Sequence, residues 1–405
     1  MAVSDASGLP QVSGGLTALS GGLLPLLNDA MPHRLVPVLR QFLITQAGAS
    51  DARVLLADYE LRELRELSPG AGEQQPQPVS GTAAGQCFLS QAVITQPRPG
   101  SDADGVTEVL VPLSLRAERL GVLQVSFTDT PVTAALLRGL QEVALATVYV
   151  LVACGACSDV VEAARRAEPL SVAAEMQWNL QPLRAFSTDT FAVAGQLIPA
   201  YEVGGDCFDY NIDADHLDLS CLDAMGHGVR ASLLAALATA VMRNSRRAGG
   251  DPVHQLGLAD RQLLEQFGGA QFVTALALRL DLHTGQAQLV NAGHPAPWLV
   301  RAGRAQPVQL DPQLPAGMLQ QTSYQAQVLQ LQPGDRLVLV TDGVLEAGAP
   351  AGEFGEQRLA GLLLGTAELT PHQCVAEVLH TVRAYAPRLH DDATVIVLDW
   401  FGTTP

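Results

Sequence analysis

Four aspartates between positions 206 and 391 each sit in a glycine-rich or acidic turn at the end of an apolar run. Asp206 follows Val203-Gly204-Gly205, and Asp223 opens Asp-Ala-Met-Gly-His-Gly228. Asp342 closes Leu-Val-Leu-Val-Thr-Asp before Gly343, and Asp391 begins Asp-Asp-Ala-Thr394 ahead of Val-Ile-Val-Leu398. An unpaired carboxylate at the end of a buried strand costs on the order of several kcal/mol to desolvate. No basic residue lies within five positions of Asp342, and Asp391 has only Arg388 and His390 nearby, so cations from outside are the economical partners. Hard oxygen donors without Cys/His ligand spacing point to Mg²⁺ or Mn²⁺ and away from Zn²⁺. Gly204, Gly205, Gly226 and Gly228 permit tight turns and close approach of backbone to a metal or a phosphate. Any one Gly-Asp turn reads as an ordinary β-turn, whereas four in this order read as a divalent-metal hydrolase site.

Carboxylates so far apart in sequence must be gathered by strands. Phe191–Ile198, Cys207–Ile212 and His216–Leu222 read as short strands, Val229–Arg246 as an Ala/Leu-rich helix, and Val253–Phe267 as another. Phe272–Leu282 puts Leu276, Leu278, Leu280 and Leu282 on one face at period 2, and Gln286–Val290 returns across His283-Thr-Gly285 as a hairpin. Arg336–Val340 and Thr394–Leu398 are nearly continuous apolar strands. Hairpins with helices outside them predict an α/β/β/α sandwich over residues 188–401.

Ahead of it, residues 1–21 are rich in Gly, Ser and Ala without periodicity and predict a flexible tail. Residues 22–155 read as helix, strand (Ala52–Ala57), a charged segment (Glu60–Glu66), a small-residue helix around Gly85, and two strands, Thr107–Pro112 and Arg119–Phe127. Polar loops are expected at Ser68–Pro78 and Pro97–Gly105. This pattern describes a compact α+β module, and the whole chain is α+β. A helical stretch from Pro131, with Leu136, Leu137, Leu140, Val143, Ala144 and Val148 at helical spacing, runs with interruptions to Asn179. Glu168-Pro169 breaks or kinks it, and residues 156–187 are expected to form a linker and regulatory helix.

The 405 residues favour two domains, and 48% hydrophobic with 16% charged residues gives ample core. A net charge of −17 argues against a nucleic-acid or anionic-membrane partner; bound divalent cations or simple solubility would account for the excess acid. Six cysteines do not make a disulfide framework, and Met-Ala-Val-Ser-Asp lacks the basic and apolar regions of a signal peptide, so a cytoplasmic protein is expected. The longest apolar stretch, Val143–Cys157, is shorter than the roughly 20 residues that span a bilayer. It reads as a buried or dimer-forming helix, and with it a homodimer.

Val111-Pro-Leu113 followed by Arg119-Leu-Gly-Val-Leu123, with Gly81-Thr-Ala-Ala-Gly85 ahead of a short helix, resembles GAF sensory domains. The Asn-Lys-Phe-Asp-Glu signature of cyclic-nucleotide-binding members is missing, which leaves the small-molecule or protein signal open. From about Ala173 to Trp400 the chain resembles the RsbU/SpoIIE branch of the metal-dependent Ser/Thr protein phosphatases, the PPM or protein phosphatase 2C-like superfamily. The resemblance rests on Glu175-Met-Gln-Trp-Asn-Leu-Gln-Pro182, Val203-Gly-Gly-Asp206, Asp223-Ala-Met-Gly-His-Gly228, Phe272-Val-Thr274, Asn291-Ala-Gly-His-Pro295, Thr341-Asp-Gly343 and Asp391-Asp-Ala-Thr394. It implies two metals, Mn²⁺ or Mg²⁺, with Asp206 and Asp223 bridging or flanking them, the Ala224 carbonyl as a further ligand, and Asp342 and Asp391 completing the second. It also implies hydrolysis of a phosphoserine or phosphothreonine protein, usually a phosphorylated anti-anti-sigma (STAS-domain) protein in partner switching. The helix carrying Gln177, Leu180 and Pro182 is where such relatives receive regulatory input. Two other readings are a catalytically silent binding module of the same fold and a two-metal phosphodiesterase.

Neighbouring residues read less specifically. Gly205, Gly226, Gly228 and Gly343 support the turns. Asp209 orients a metal-bound water or caps a turn. His227 either donates a proton to the leaving oxygen or packs the turn; it lies four residues after Asp223, not two as in the eukaryotic branch, which favours packing. His294 reads as a turn residue, Asp213, Asp215 and Asp218 as hairpin and solvent-facing acids, and Cys154-Gly-Ala-Cys157 as core cysteines.

Overall fold

The computed structural model describes residues 19–68, 75–97, 105–198, 204–319, 322–349, 352–387, 389 and 391–402. The tail expected at 1–21 lies, as far as residue 18, outside them, as do most of the loops expected at 68–78 and 97–105. The chain divides into two compact units, one of Met1–Leu115 with Arg119–Ala167, the other of Glu168–Pro405 with Arg116–Glu118.

The first unit runs α1 (Leu19–Asp29), α2 (Leu35–Ala47), β1 (Asp51–Ala57), β2 (Glu63–Glu66), β3 (Gln77–Pro78), α3 (Ala83–Ser90), β4 (Ile94–Pro97), β5 (Thr107–Leu115), β6 (Glu118–Phe127), α4 (Ala134–Cys154) and α5 (Val160–Arg165). Its six strands form one sheet in the order β3-β2-β1-β6-β5-β4. Period-2 alternation gives the sheet two buried faces. Val109, Val111, Leu113, Leu123 and Val125 pack with residues of α1, α2 and α4, while Leu55, Leu110 and Val122 pack with Cys87 and Phe88 of α3. The charged segment expected at 60–66 supplies β2, whose Leu64 is buried.

The Val143–Cys157 stretch is the end of a longer element than its apolar run suggests. Thr133 caps α4 by accepting the Leu136 N–H, and the helix runs for 21 residues. By length and composition it is the one helix among the described residues that could cross a membrane. Its buried face, including Leu136, Leu140, Val143 and Val148, belongs to the core of the first unit. Leu145, Tyr149 and Val152 on its other face are exposed. Cys154 is buried but Cys157 is exposed, so only one of that pair is a core cysteine. The other four cysteines are buried and free, and burial pushes the thiols of Cys87 and Cys207 up to about 12 and about 11.

The second unit runs α6 (Val172–Leu180), β7 (Ala185–Ser187), β8 (Phe191–Ile198), β9 (Asp206–Ile212), β10 (His216–Ala224), α7 (Val229–Arg247), α8 (Pro252–Phe267), β11 (Val273–Asp281), β12 (Gln286–Ala292), β13 (Trp298–Arg301), β14 (Arg304–Pro307), β15 (Gln327–Gln330), β16 (Asp335–Val340), α9 (Asp342–Leu345), β17 (Gly348–Ala349), β18 (Gly352–Glu353), α10 (Gly355–Gly365), α11 (Pro371–Tyr385) and β19 (Ala393–Trp400). Two main sheets, β15-β12-β11-β10-β9 and β14-β13-β16-β19-β8-β7, make an α/β/β/α sandwich. Alternation along the strands builds three layers of core. Leu276, Leu278, Leu280, Leu337, Leu339, Ile396 and Leu398 meet between the sheets. Ala275 and Ala277 face Leu234, Ala235 and Ala238 of α7 and Leu256 of α8. Val338, Val340, Val395 and Val397 face Leu359 of α10 and Val375, Val378 and Val382 of α11. β16 and β19 are continuous apolar runs because both their faces are covered.

Local chemistry fixes the helix ends. Asp251 caps α8 through the His254 N–H with Pro252 in the first turn, and Thr370 and Gln373 form a reciprocal capping box on α11. In the β11–β12 hairpin, Asp281 accepts the N–H groups of His283 and Thr284, and Gly285 takes a positive φ of 72°.

Candidate active site

The β9–β10 hairpin sets Asp206 directly opposite Asp223. Gly205 lies so close to the next strand that a Cβ there would stand 2.3 Å from the Ala224 carbonyl oxygen. In the other sheet, β16 ends at Val340, Thr341 stands just ahead of the short α9 without capping it through its side chain, and Asp342 is the first residue of that helix. Asp391 and Asp392 immediately precede β19, the neighbour of β16. Gly343 touches that turn: a Cβ on it would lie 1.9 Å from the Asp392 carbonyl oxygen.

Hydrogen bonds join the two sheets here. Asp206 Oδ2 accepts from Thr341 Oγ1 at 2.7 Å and from Thr394 Oγ1 at 2.6 Å, and the Thr394 N–H donates to Thr341 Oγ1 at 2.9 Å. The Gly204 N–H donates to both oxygens of Asp392, at 2.9 and 2.8 Å. Gln177 of α6 donates its side-chain amide to the Asp206 carbonyl, and Ser232 of α7 donates to the Gly204 carbonyl at 3.2 Å. Thr341, Thr394, Asp392 and Ser232 were not singled out by the sequence. The adjacent acids Asp391 and Asp392 carried the one signal available, since side chains at the mouth of a strand alternate and one of two must turn inward. Asp392 is buried and Asp391 exposed.

The electrostatics are those of a carboxylate cluster. Burial, then the charges of Asp223 and Asp392, holds Asp206 well above the usual carboxylate range. Burial, followed by Asp342, Asp391, Asp392 and Glu346, pushes Asp223 up to about 7. Burial outweighs the Gly204 and Asp206 N–H bonds to bring Asp392 to about 7, and burial and Asp391 raise Asp342. Glu346 is raised chiefly by Asp342. The leading influences on these groups among the described residues are burial and one another's charge.

The donor set of carboxylate and carbonyl oxygens fits a hard divalent cation. Among the described residues, however, no three His, Cys, Asp or Glu side chains converge closely enough to hold one as they stand; Asp206 is turned to its two threonines. Asp206, Asp223, Ala224, Asp342 and Asp391 are thus brought to one end of the sandwich from both sheets. Val203 of the first motif, and Arg388 and His390 beside Asp391, lie outside the described residues.

Gly226 and Gly228 take positive φ values of 91° and 73° in the turn that leads into α7. His227 between them is exposed, so it does not pack the turn. Asp209 does not cap a turn. It is buried within β9 and paired with Arg243 and Arg246 of α7, each at 2.8 Å. Asp218 is likewise not solvent-facing: buried in β10, it pairs with Arg279 at 2.9 Å, while Asp213 and Asp215 are exposed. His294 sits in a turn closed by Asn291, which accepts the His294 N–H and donates to its carbonyl, both at 2.8 Å. Its ring is buried against Thr274, and burial lowers it to about 3, which keeps it neutral. Gln177 is buried, Leu180 packs beside the α7/α8 core and gives its carbonyl to Arg243, and Pro182 follows the end of α6.

Residues 213–401, which include three of the four aspartates, match the family model described as Stage II sporulation protein E (SpoIIE). Residues 213–401 are a SpoIIE-type domain. The chain is 30% identical over 154 residues to phosphoserine phosphatase RsbP of Bacillus subtilis, covering 36% of this chain and 38% of RsbP. It is 22% identical over 231 residues to phosphoserine phosphatase RsbU of the same organism, covering 56% of this chain and 69% of RsbU. Among solved structures it is similar to the SiaA-PP2C domain of Pseudomonas aeruginosa, with 23% identity, a TM-score of 0.48, and coverage of 57% of this chain and 94% of that one. The chain thus spans well under half the length of RsbP. The SpoIIE-type domain takes in β10 through β19, so Asp223, Asp342 and Asp391 lie within the match, and Asp206 just ahead of it is Asp223's partner in register.

Proposed function

We propose that the chain is a divalent-metal-dependent phosphatase of phosphoserine or phosphothreonine proteins. The observation that carries this reading is that Asp206, Asp223, Asp342 and Asp391 come from two sheets to one end of the sandwich, near enough for their charges to repel one another. Two ions, Mg²⁺ or Mn²⁺, would be held by these side chains and the Ala224 carbonyl. Bound there, they supply Lewis acidity toward a phosphoryl oxygen and a water of lowered pKa. The protein's own part is positional. Thr341 and Thr394 orient Asp206, the Asp392–Gly204 bonds tie the two ligand-bearing turns together, and Gly205 and Gly343 let those turns approach. The names of RsbP and RsbU support the phosphoserine assignment.

Within this reading the substrate is a phosphorylated anti-anti-sigma (STAS-domain) protein in a partner-switching pathway, and the first unit is a GAF-like sensory domain. Input from that unit reaches the site through α6, because Gln177 holds the Asp206 backbone. The test is Mn²⁺-dependent phosphate release from a phosphorylated STAS-domain protein. Asp342→Asn and Asp391→Asn should each lower release about 100-fold or more, as expected when transition-state electrostatics are lost. No release by the unaltered protein at any metal concentration would favour a silent binding module. Cleavage of bis-phosphodiesters with no action on the phosphoprotein would favour a phosphodiesterase. Removing residues 1–165 should change metal affinity or turnover; if both stayed the same, the role given to α6 would be wrong.

A further inference from the structure

The last helical residue of α4, Cys154, opens a Cys-Gly-Ala-Cys segment that ends at Cys157, and the chain leaves the helix there through two tightened turns. The Ala156 N–H donates to the Ala153 carbonyl at 3.2 Å, and the Cys157 N–H donates to the Cys154 carbonyl at 3.0 Å. In turns closed from residue i to i+3 the backbone rises about 2 Å per residue and side chains three apart eclipse. Cys154 and Cys157 therefore stand one above the other, with Cα atoms about 6 Å apart. That separation falls inside the range of about 4.4–6.8 Å that a disulfide spans. The side chains meet as well. The Cys157 thiol donates to the Cys154 carbonyl at 3.5 Å, and the two thiols are near enough to act on one another.

The pair is asymmetric. Cys154 is 7% exposed, whereas Cys157 is open to solvent and the other four cysteines are buried. A solute can reach one sulfur, and a second stands directly behind it. The surroundings do not favour thiolates. No Lys, Arg or His lies between Arg138 and Arg165 in the sequence, and a helix C-terminus carries partial negative charge. Burial first, then the neighbouring Cys157, raises the Cys154 thiol. Strongly oxidising dithiol pairs are those whose reduced form is stabilised. A pair without that stabilisation gives up its electrons more readily and keeps its disulfide once formed.

We propose that Cys154 and Cys157 form a reversible redox site, closed to an intramolecular disulfide by exchange with a low-molecular-weight disulfide. The Cys157 thiolate, its proton lost to water, attacks one sulfur of the solute. The solute S–S bond breaks, one thiolate leaves, and a mixed disulfide stands on Cys157. Cys154, deprotonated in turn, attacks the Cys157 sulfur and expels the second solute thiolate. The two cysteines lose two electrons between them, and the solute is reduced to two thiols that take up the two protons. The new bond staples the end of α4 just ahead of α5. The proposal stands apart from the phosphatase reading, since it uses only residues of the first unit.

The experiment takes the full chain, reduced and then freed of reductant, and adds glutathione disulfide at millimolar concentration under native conditions. Excess maleimide then traps the accessible thiols, and mass spectrometry of the intact chain and of its peptides reads the product. The unaltered protein should lose two hydrogens and carry neither glutathione nor maleimide, with the missing hydrogens mapped to the peptide that holds Cys154 and Cys157. Dithiothreitol should restore maleimide labelling at Cys157. Cys154→Ala should instead stop at a lasting glutathione adduct on Cys157. The product formed by the unaltered protein decides the matter even if that variant folds poorly. A lasting glutathione adduct on the unaltered protein, a covalent dimer joined through Cys157, or undiminished maleimide labelling would each overturn the proposal.

Discussion

Asp209 stands three residues from Asp206 on the same strand, yet its surroundings differ completely. Two guanidinium groups meet it, and at Asp206 there are only hydroxyls and other acids. Asp209→Ala would leave Arg243 and Arg246 without their carboxylate and should cost about 3 kcal/mol, seen as a lower urea midpoint, with metal affinity of the folded protein unchanged. Asp223 predicts the opposite behaviour. Its carboxyl titrates near 7 in the folded chain against 3.8 ordinarily, so between those values the native state binds more protons than the unfolded one. The resulting stability is fully present below the lower value and is lost as pH rises through the higher one. In chelator, the unfolding temperature should therefore fall between about pH 5 and about pH 8. Asp223→Asn should flatten that fall and stabilise the chelated protein at the alkaline end. Mg²⁺ or Mn²⁺ should restore stability, more at about pH 8 than at about pH 5, because ligands must lose protons to bind. The site's acids were legible in the sequence because each ends an apolar run at a glycine or a second acid. Which acids were only structural was not, since the arginines beside Asp209 and Asp218 lie tens of residues away and nothing local marks the pairing.

Strands and turns place these residues with little slack. At Gly343 a methyl group would collide with the backbone of the Asp392 turn, which no side-chain rotation relieves. Gly343→Ala should separate the two turns that carry Asp342 and Asp391, costing about 2 kcal/mol or more and weakening metal binding measured by calorimetry. Gly226→Ala, where a Cβ meets nothing within 4 Å, should cost less, through its positive φ alone. The elements nearest the site were also the ones the sequence announced most clearly. β8, β9, β10, α7, α8 and the β11–β12 hairpin fall within one or two residues of their expected ends. Residues 298–330 carried no such announcement. β13, β14 and β15 are four residues each, and in β14 and β15 half-buried and exposed positions alternate at a sheet edge, so few apolar side chains mark them.

At the scale of the molecule, each unit owns a complete core: one sheet buried on both faces in the first, two sheets and three apolar layers in the second. Separate cores predict separate unfolding. A chain from Glu168 onward should fold alone, bind metal and unfold in one step, whereas the whole chain in calorimetry should show two transitions; a single transition whose midpoint vanishes when either half is removed would refute this. The thiols give the molecule one further property. Five of its six cysteines lie inside these cores and the sixth, Cys157, is exposed just beyond the end of α4. A bulky maleimide should therefore modify the native protein at one position and the denatured protein at six. A fluorophore or spin label can then be seated at the foot of that long helix without altering any residue, to report whatever movement a signal imposes there.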